Sequence, residues 1–336
     1  MPIFSAWCTS KTRLDGKIAV ITGANTGIGK ETARDFYRRG ARVILACRNV
    51  EKAKAAIEDI KCNPFPSYFS NSRKMQTADK NGLGDLEVYS LDLCNFKSVK
   101  ECAKKLMKEP AIHILVNNAG IMFTPYQITE DGFEIQLQSN YLGHFLLTLL
   151  LLPKMQSSTP GCRIINVSSR AHIFGKIHFS DINLKKSWWY IRPWKAYFQS
   201  KLANILFTKE LARRLKEAKI NGINVYSLHP GVIKTELSRE FDSTVMPGAT
   251  FIINYIIWPF IKNAEQGAQT TIYCAIDEKT ANETGLHYSE CCVTSSKDVN
   301  DQEAEDLWNY TCFLLRLEIN KNFSTFLETV SRQFDK

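Results

Sequence analysis

A tyrosine and a lysine stand four residues apart in AYFQSKLAN, as Tyr197 and Lys201, in a segment that reads as helix. That spacing puts both side chains on one helix face. An unperturbed phenol, with a pKa of about 10, moves protons poorly near neutral pH, and a nearby ammonium favours its phenolate. The pair is either the acid and base of a reaction or an ordinary solvated face. So short a spacing is expected about once by chance in a chain of this size. Of the 12 tyrosines, only Tyr197 has a lysine four residues on.

The elements around the pair alternate. From residue 17, the β-type runs KIAVITG, RVILACR, LEVYSLDL, HILVNNAG, RIINVSS and INVYSLHPG are separated by helical patterns. These include EKAKAAIEDI, KSVKECAKKLMK and a long helix around DGFEIQLQSNYLGHFLLTLLLL. Continuous apolar strands between helices predict an α/β fold, with a parallel sheet covered by helices on both faces. Two segments read as insertions. Residues 62–85, rich in Pro, Ser, Asn and Gly, predict a surface loop. Residues 237–266 hold the apolar FIINYIIWPFI, too short to cross a bilayer, which needs roughly 20 apolar residues. Segment 251–261 reads as a substrate lid, as an element lying in a membrane interface, or as core packing.

After the first strand comes TGANTGIGK, residues 22–30, opening a helix. Gly23, Gly27 and Gly29, with Asn25, Thr26 and Ile28 between and beside them, suit a tight turn that admits a pyrophosphate at a helix N-terminus. An ATPase loop is excluded, because Ala24 stands where its first glycine belongs and Glu31 follows Lys30. At the end of the second strand, where an acid would hold the ribose of NAD, the chain has Cys47-Arg48-Asn49. Arg48 there predicts pairing with a 2′-phosphate and hence NADP(H), against the alternative of a surface arginine.

Composition sets further bounds. The 336 residues are 44% apolar and 23% charged, with 43 Lys and Arg against 34 Asp and Glu, a formal charge of +9. No long basic run is present, so no nucleic-acid partner is expected. Ten cysteines include no C-x-x-C pair, which predicts reduced thiols on the cytosolic side rather than secretion. His287 near Cys291 and Cys292 lacks a fourth ligand, and no metal is expected.

TGANTGIG at 22–29, NNAG at 117–120, Asn140 in NYLGHF, NVSS at 166–169, YFQSK at 197–201 and HPG at 229–231 occur in the order seen in short-chain dehydrogenases/reductases, a family the chain resembles from about residue 14 to 317. Within it, GKETAR, ACRN, GKIHFSDIN and SKLANILFTKEL are most similar to the retinol dehydrogenases. The resemblance implies a single Rossmann-type, doubly wound domain over 14–317, leaving 318–336 as a polar tail. It implies that Asp92 touches adenine, that Asn118, Ala119 and Gly120 line the cofactor, and that Pro230, Gly231, Val232 and Thr235 lie near the nicotinamide. It also implies a catalytic set of Asn140, Ser169, Tyr197 and Lys201, with Ser169 chosen over Ser168 by family position alone. Ser169 would hold the substrate oxygen, Tyr197 would move the proton, Lys201 would tune it and hold the ribose, and Asn140 would organise a water.

The expected activity is NADP(H)-dependent interconversion of a lipophilic, retinoid-like alcohol and its aldehyde, in the reductive direction, with peripheral contact to the endoplasmic reticulum or another intracellular membrane. Two alternatives stay open: a carbonyl reductase for steroids or lipid-derived aldehydes, and a cofactor-binding interaction protein without turnover. Between Ser169 and Tyr197 the stretch KKSWWYIRPW is longer than the family's usual spacing. Trp188, Trp189 and Trp194 there read either as a channel lining or as packing.

Overall fold

All five residues of β1, Ile18–Thr22, are buried, so this strand must be covered on both faces. In the computed structural model, which describes residues 5–65, 82–189, 191–233, 262–295, 299–320 and 322–335, β1 lies in an eight-stranded sheet. The other strands are β2 Arg42–Cys47, β3 Asp85–Ser90, β4 Ile114–Asn117, β5 Cys162–Val167, β6 Ile223–His229, β7 Leu286–Ser289 and β8 Cys292–Val293. Their order is β3-β2-β1-β4-β5-β6-β7-β8. Every neighbouring pair is parallel except β7 with β8.

Alternate residues of β1 feed two cores. Ile18 and Val20 face one apolar layer with α3 (Phe96–Leu106), α4 (Gly143–Ser157) and α5 (Arg192–Glu217). Ala19 and Ile21 face the other, with α1 (Gly27–Arg38), α2 (Val50–Cys62) and α6 (Ala264–Ile276). The chain is thus a single α/β domain with helices on both faces of the sheet.

The structure adds to the sequence reading in three places. β7 and β8 extend the sheet beyond the six expected strands, joined by a tight turn whose Glu290 and Cys291 both take positive φ. The long helix expected from Asp131 starts later, at a turn Ile135–Leu137 capped by the Glu134 side chain, which accepts from Leu137 N at 2.7 Å. It continues through a π segment, Gln138–Leu142, into α4.

The stretch read as a polar tail holds α8, Phe323–Asp335, after α7, Asp301–Leu314. Phe323, Phe326, Leu327 and Val330 repeat at helical spacing and are buried against Trp308 and the α4 side of the core.

Of the two inserted segments, 66–81 and 234–261 lie outside the described residues, and with them Thr235 and the apolar run 251–261. Ile233 and Lys262 pair as an isolated bridge, so the chain re-enters the described part beside where it left. Residues 264–266 already belong to α6, which starts with a capping box between Asn263 and Gln266.

Candidate active site

The strand order reverses between β1 and β4, and in sheets of this kind the crevice beyond the strand ends at that point takes the ligand. The chain delivers its candidate residues there from the carboxyl ends of five strands. The glycine turn follows β1, Arg48 follows β2, the Asn118–Gly120 loop follows β4, Ser169 follows β5 and Pro230 follows β6.

The glycine turn is held against the loop after β4. Gly23 has φ +65, and a Cβ on it would stand 2.9 Å from Ala119 Cα. A Cβ on Gly29 would meet Asn118 Nδ2 at 2.5 Å and Gly23 O at 2.8 Å. Only glycine lets the two loops approach this closely. Thr26, at the N-cap of α1, makes no side-chain cap, so the first-turn amides of a helix aimed at the crevice are not claimed by it. This suits the pyrophosphate of a dinucleotide. Arg48 is exposed just past β2, while Asp92 accepts from Cys94 N at 2.9 Å. Pro230 is buried and Val232 is 56% exposed.

α5 carries Tyr197 and Lys201 into the interior, at 6% and 5% exposure. A solvated helix face is therefore excluded for this pair. Lys201 Nζ donates to Val167 O at 3.1 Å, and a Cβ on Gly120 would lie 3.4 Å from Nζ. The Ser169 side chain lies close enough to the Tyr197 phenol to lower its pKa. Ser168 faces elsewhere: its hydroxyl donates to Lys201 O at 2.6 Å, and it is 2% exposed. The two serines, inseparable on chemistry in the sequence, thus have different partners.

Asn140 lies in the π segment, fully buried. Its Oδ1 accepts from Ile121 N at 2.8 Å, and its Nδ2 donates to Ile121 O at 3.0 Å and to Ser200 Oγ at 2.9 Å. Ser200 in turn donates to Tyr197 O at 2.8 Å. Each such bond is worth about 1 kcal/mol net, and leaving one partner buried without it costs more.

Burial sets the protonation states. It pushes the Tyr197 phenol up to about 12, against a smaller lowering by the Ser169 side chain. It pulls the Lys201 ammonium down to about 8. In this arrangement the nearby Lys201 does not offset the burial of the phenol. Nζ sits 5.7 Å from the Tyr197 ring centroid and is turned to Val167 O, so desolvation outweighs the cation.

Three contributors went unremarked in the sequence. One is Ser200, inside YFQSK itself. The others are His144 and Thr22. The His144 ring is 1% exposed and held down to about 4 by burial, so it is neutral. Its Nδ1 lies 3.1 Å from Asn140 O, which can only accept, so Nδ1 carries the hydrogen. Its bare Nε2 then accepts from Thr22 Oγ1 at 2.8 Å. Thr22 Oγ1 accepts from Asn118 N and Ala119 N, both at 2.9 Å. One chain of bonds thus joins the Asn140 backbone to the glycine turn and the loop after β4. Spacing gave a signal, since His144 lies one helical turn after Asn140.

Around Tyr197 the wall is aromatic. Phe123 packs edge-on against it at 5.1 Å and lies tilted against Trp194 at 4.1 Å. Phe123 holds a left-handed φ of 53°, costly for so bulky a residue, and its N–H is fixed by Gln136 Oε1 at 2.8 Å. Trp194 therefore packs in the wall, whereas Trp188 and Trp189 are 71% and 77% exposed. No group of three or more His, Cys, Asp or Glu among the described residues could hold a metal ion.

Comparison with known proteins agrees with this geometry. The profile of the short chain dehydrogenase family matches residues 17–181. Retinol dehydrogenase 11 from Homo sapiens is 44% identical over 319 residues, covering 94% of this chain and 91% of that one. Retinol dehydrogenase 13 from Homo sapiens is 42% identical over 320 residues, covering 93% and 88%. A crystal structure of an uncharacterised protein from Mycobacterium Paratuberculosis superposes with a TM-score of 0.67 at 32% identity, covering 94% of this chain and all of that one. The chain belongs to the short-chain dehydrogenase/reductase family of oxidoreductases, and within it is similar to the retinol dehydrogenases.

Proposed function

We propose that the protein is an NADP(H)-dependent oxidoreductase that reduces a lipophilic, retinal-like aldehyde to its alcohol. The observation that carries this reading is the convergence of a buried, protonated Tyr197, the Ser169 hydroxyl near it and the Lys201 ammonium beside Gly120, all at the switch point of the sheet. A phenol held up at about 12 keeps its proton and stays neutral at neutral pH, as a general acid must. A reduced nicotinamide, when bound, supplies the hydride.

Ser169 holds the substrate oxygen by donating to it, and Tyr197 gives that oxygen its proton as negative charge develops there. Lys201, charged below about 8, then stabilises the phenolate left behind and holds the ribose with its remaining donors. Asn140, fixed by Ile121 and Ser200, aligns α5 and organises a water that reconnects Lys201 to solvent. Gly23, Asn25, Thr26, Gly27, Ile28 and Gly29 would hold the pyrophosphate, Asp92 the adenine, and Asn118, Ala119, Gly120, Pro230, Val232 and Thr235 the rest of the dinucleotide. NADP(H) is favoured by Arg48, a cation exposed at the end of β2 where an NAD site would carry an acid.

A lipophilic substrate is supported by the aromatic wall of Phe123 and Trp194 and by the relatives named retinol dehydrogenases. Such substrates dissolve in membranes, which fits a place on the cytosolic face of an intracellular membrane with 251–261 as the contact. Among the described residues no helix is long and apolar enough to cross one.

The test is NADPH oxidation by purified protein with retinal, short and long aliphatic aldehydes and steroid ketones. Turnover greatest with retinal or long aldehydes supports the reading. Steroid ketones as the best substrates would move the assignment to the steroid reductases, and no turnover with any of them would overturn it.

A further inference from the structure

The peptide bond after Ser169 is gripped at both ends by imidazoles. Its carbonyl, Ser169 O, accepts from His172 Nδ1 at 2.7 Å and from His172 N at 3.1 Å. Its amide, Arg170 N, donates to His229 Nδ1 at 3.1 Å. The two rings come from different parts of the chain. His172 sits in the 3₁₀ turn Arg170–Phe174 that Ser169 caps through Ala171 N, and His229 ends β6. A third ring, His287 of β7, packs edge-on against His172 with centroids 5.1 Å apart, and its Nδ1 is 2.9 Å from Ser227 Oγ.

The partners dictate the tautomers. A carbonyl only accepts, so His172 carries a hydrogen on Nδ1. An amide only donates, so His229 must keep Nδ1 bare, which a protonated ring cannot do. We propose that His172 and His229 are positioning residues for Ser169, fixing the plane of its following peptide and thereby the place of its hydroxyl against Tyr197.

The surroundings favour the required state. His229 is faced by His172, Arg170, Lys262, Glu290 and His287, and burial with the nearby cations holds it down to about 4. Lys262 is itself paired with Glu290. The ring therefore stays neutral, and the grip intact, throughout the neutral range. The sequence offers a partial signal, because His229 opens HPG and His172 lies three residues after Ser169.

The inference rests on Ser169 holding the substrate oxygen, so Ser169→Ala is measured alongside. The decisive pair is His229→Asn, whose Oδ1 stands near the place of Nδ1, and His229→Gln, whose acceptor is displaced by one carbon. With NADPH and the best aldehyde of the panel, His229→Gln should lower kcat roughly tenfold, the scale of one lost hydrogen bond. His229→Asn should stay within about threefold of the native rate, with KM for NADPH changed less than about twofold in both. His172→Asn, which keeps a donor toward Ser169 O, should likewise outperform His172→Leu. Equal kcat in the Asn and Gln variants of His229 would overturn the inference. Native turnover in Ser169→Ala would instead overturn the reading of the site on which it rests, and a dead Ser169→Ala with fully active His229→Gln would remove the positioning role alone.

Discussion

The floor of the site and its rim are built differently. On the floor, Tyr197, Lys201 and Asn140 are at most 6% exposed, and each is tied to backbone or to a neighbouring hydroxyl. At the proposed rim, Phe174, Trp188, Trp189 and Val232 are 56% to 77% exposed. The floor is over-determined: shifting α5 would strain the bond of Lys201 to Val167 and that of Ser200 to Asn140 at once. The rim draws on large apolar side chains at the surface, the chemistry suited to gripping a greasy substrate without fixing its identity. On the proposed reading the labour is divided, with reaction type written into the interior and substrate choice left to the edge.

The sharpest way to break this comparison is at the floor. Tyr197→Phe removes one oxygen from a site whose packing stays the same, and should cost roughly a thousandfold in kcat, as expected for loss of a general acid. NADPH affinity, read by fluorescence titration, should change less than about threefold.

Next comes the nucleotide end. Arg48→Asp exchanges an exposed cation for an anion and should shift the NADPH/NADH preference by roughly a hundredfold, from one charged hydrogen bond and the repulsion that replaces it. Comparison of kcat/KM for the two cofactors checks this, and an unchanged ratio would remove Arg48 from the site.

A pH profile comes third. Lys201 is charged below about 8 and Tyr197 holds its proton up to about 12. Reduction should therefore be level through neutral pH and fall about tenfold per unit as pH rises beyond Lys201's range. A rate still level at about pH 10 would show that the ammonium charge is not used.

The smallest effect belongs to the rim. Trp188→Ala with Trp189→Ala should raise KM for retinal about threefold while leaving kcat and short-aldehyde kinetics nearly unchanged. An equal loss for short and long substrates would erase the distinction between rim and floor.

Much of this was legible before the fold, for a physical reason. The glycine turn, Asn118, Tyr197 and Lys201 sit at strand ends and on one helix face, and such local geometry leaves short, ordered motifs, whereas Ser169 was separable from Ser168 only through the family resemblance. What escaped notice depends on tertiary contact. β7 is four residues in polar company and becomes a strand only because β6 offers it an edge. α8 does carry a helical apolar repeat, at Phe323, Phe326, Leu327 and Val330, yet its polar remainder made it read as a tail. The π segment that sets Asn140 leaves no period in the sequence. The direction of the Tyr197 shift was likewise invisible, since spacing reveals the nearby lysine and not the depth of burial that outweighs it.

The most direct test of the account follows the hydride itself. Purified protein is given retinal and NADPH carrying deuterium on its transferable nicotinamide carbon, and the product is read by mass spectrometry. The account predicts retinol bearing one deuterium, formed by the native chain and almost absent with Tyr197→Phe. Retinol formed equally well by both, or no labelled alcohol from the native chain, would contradict it.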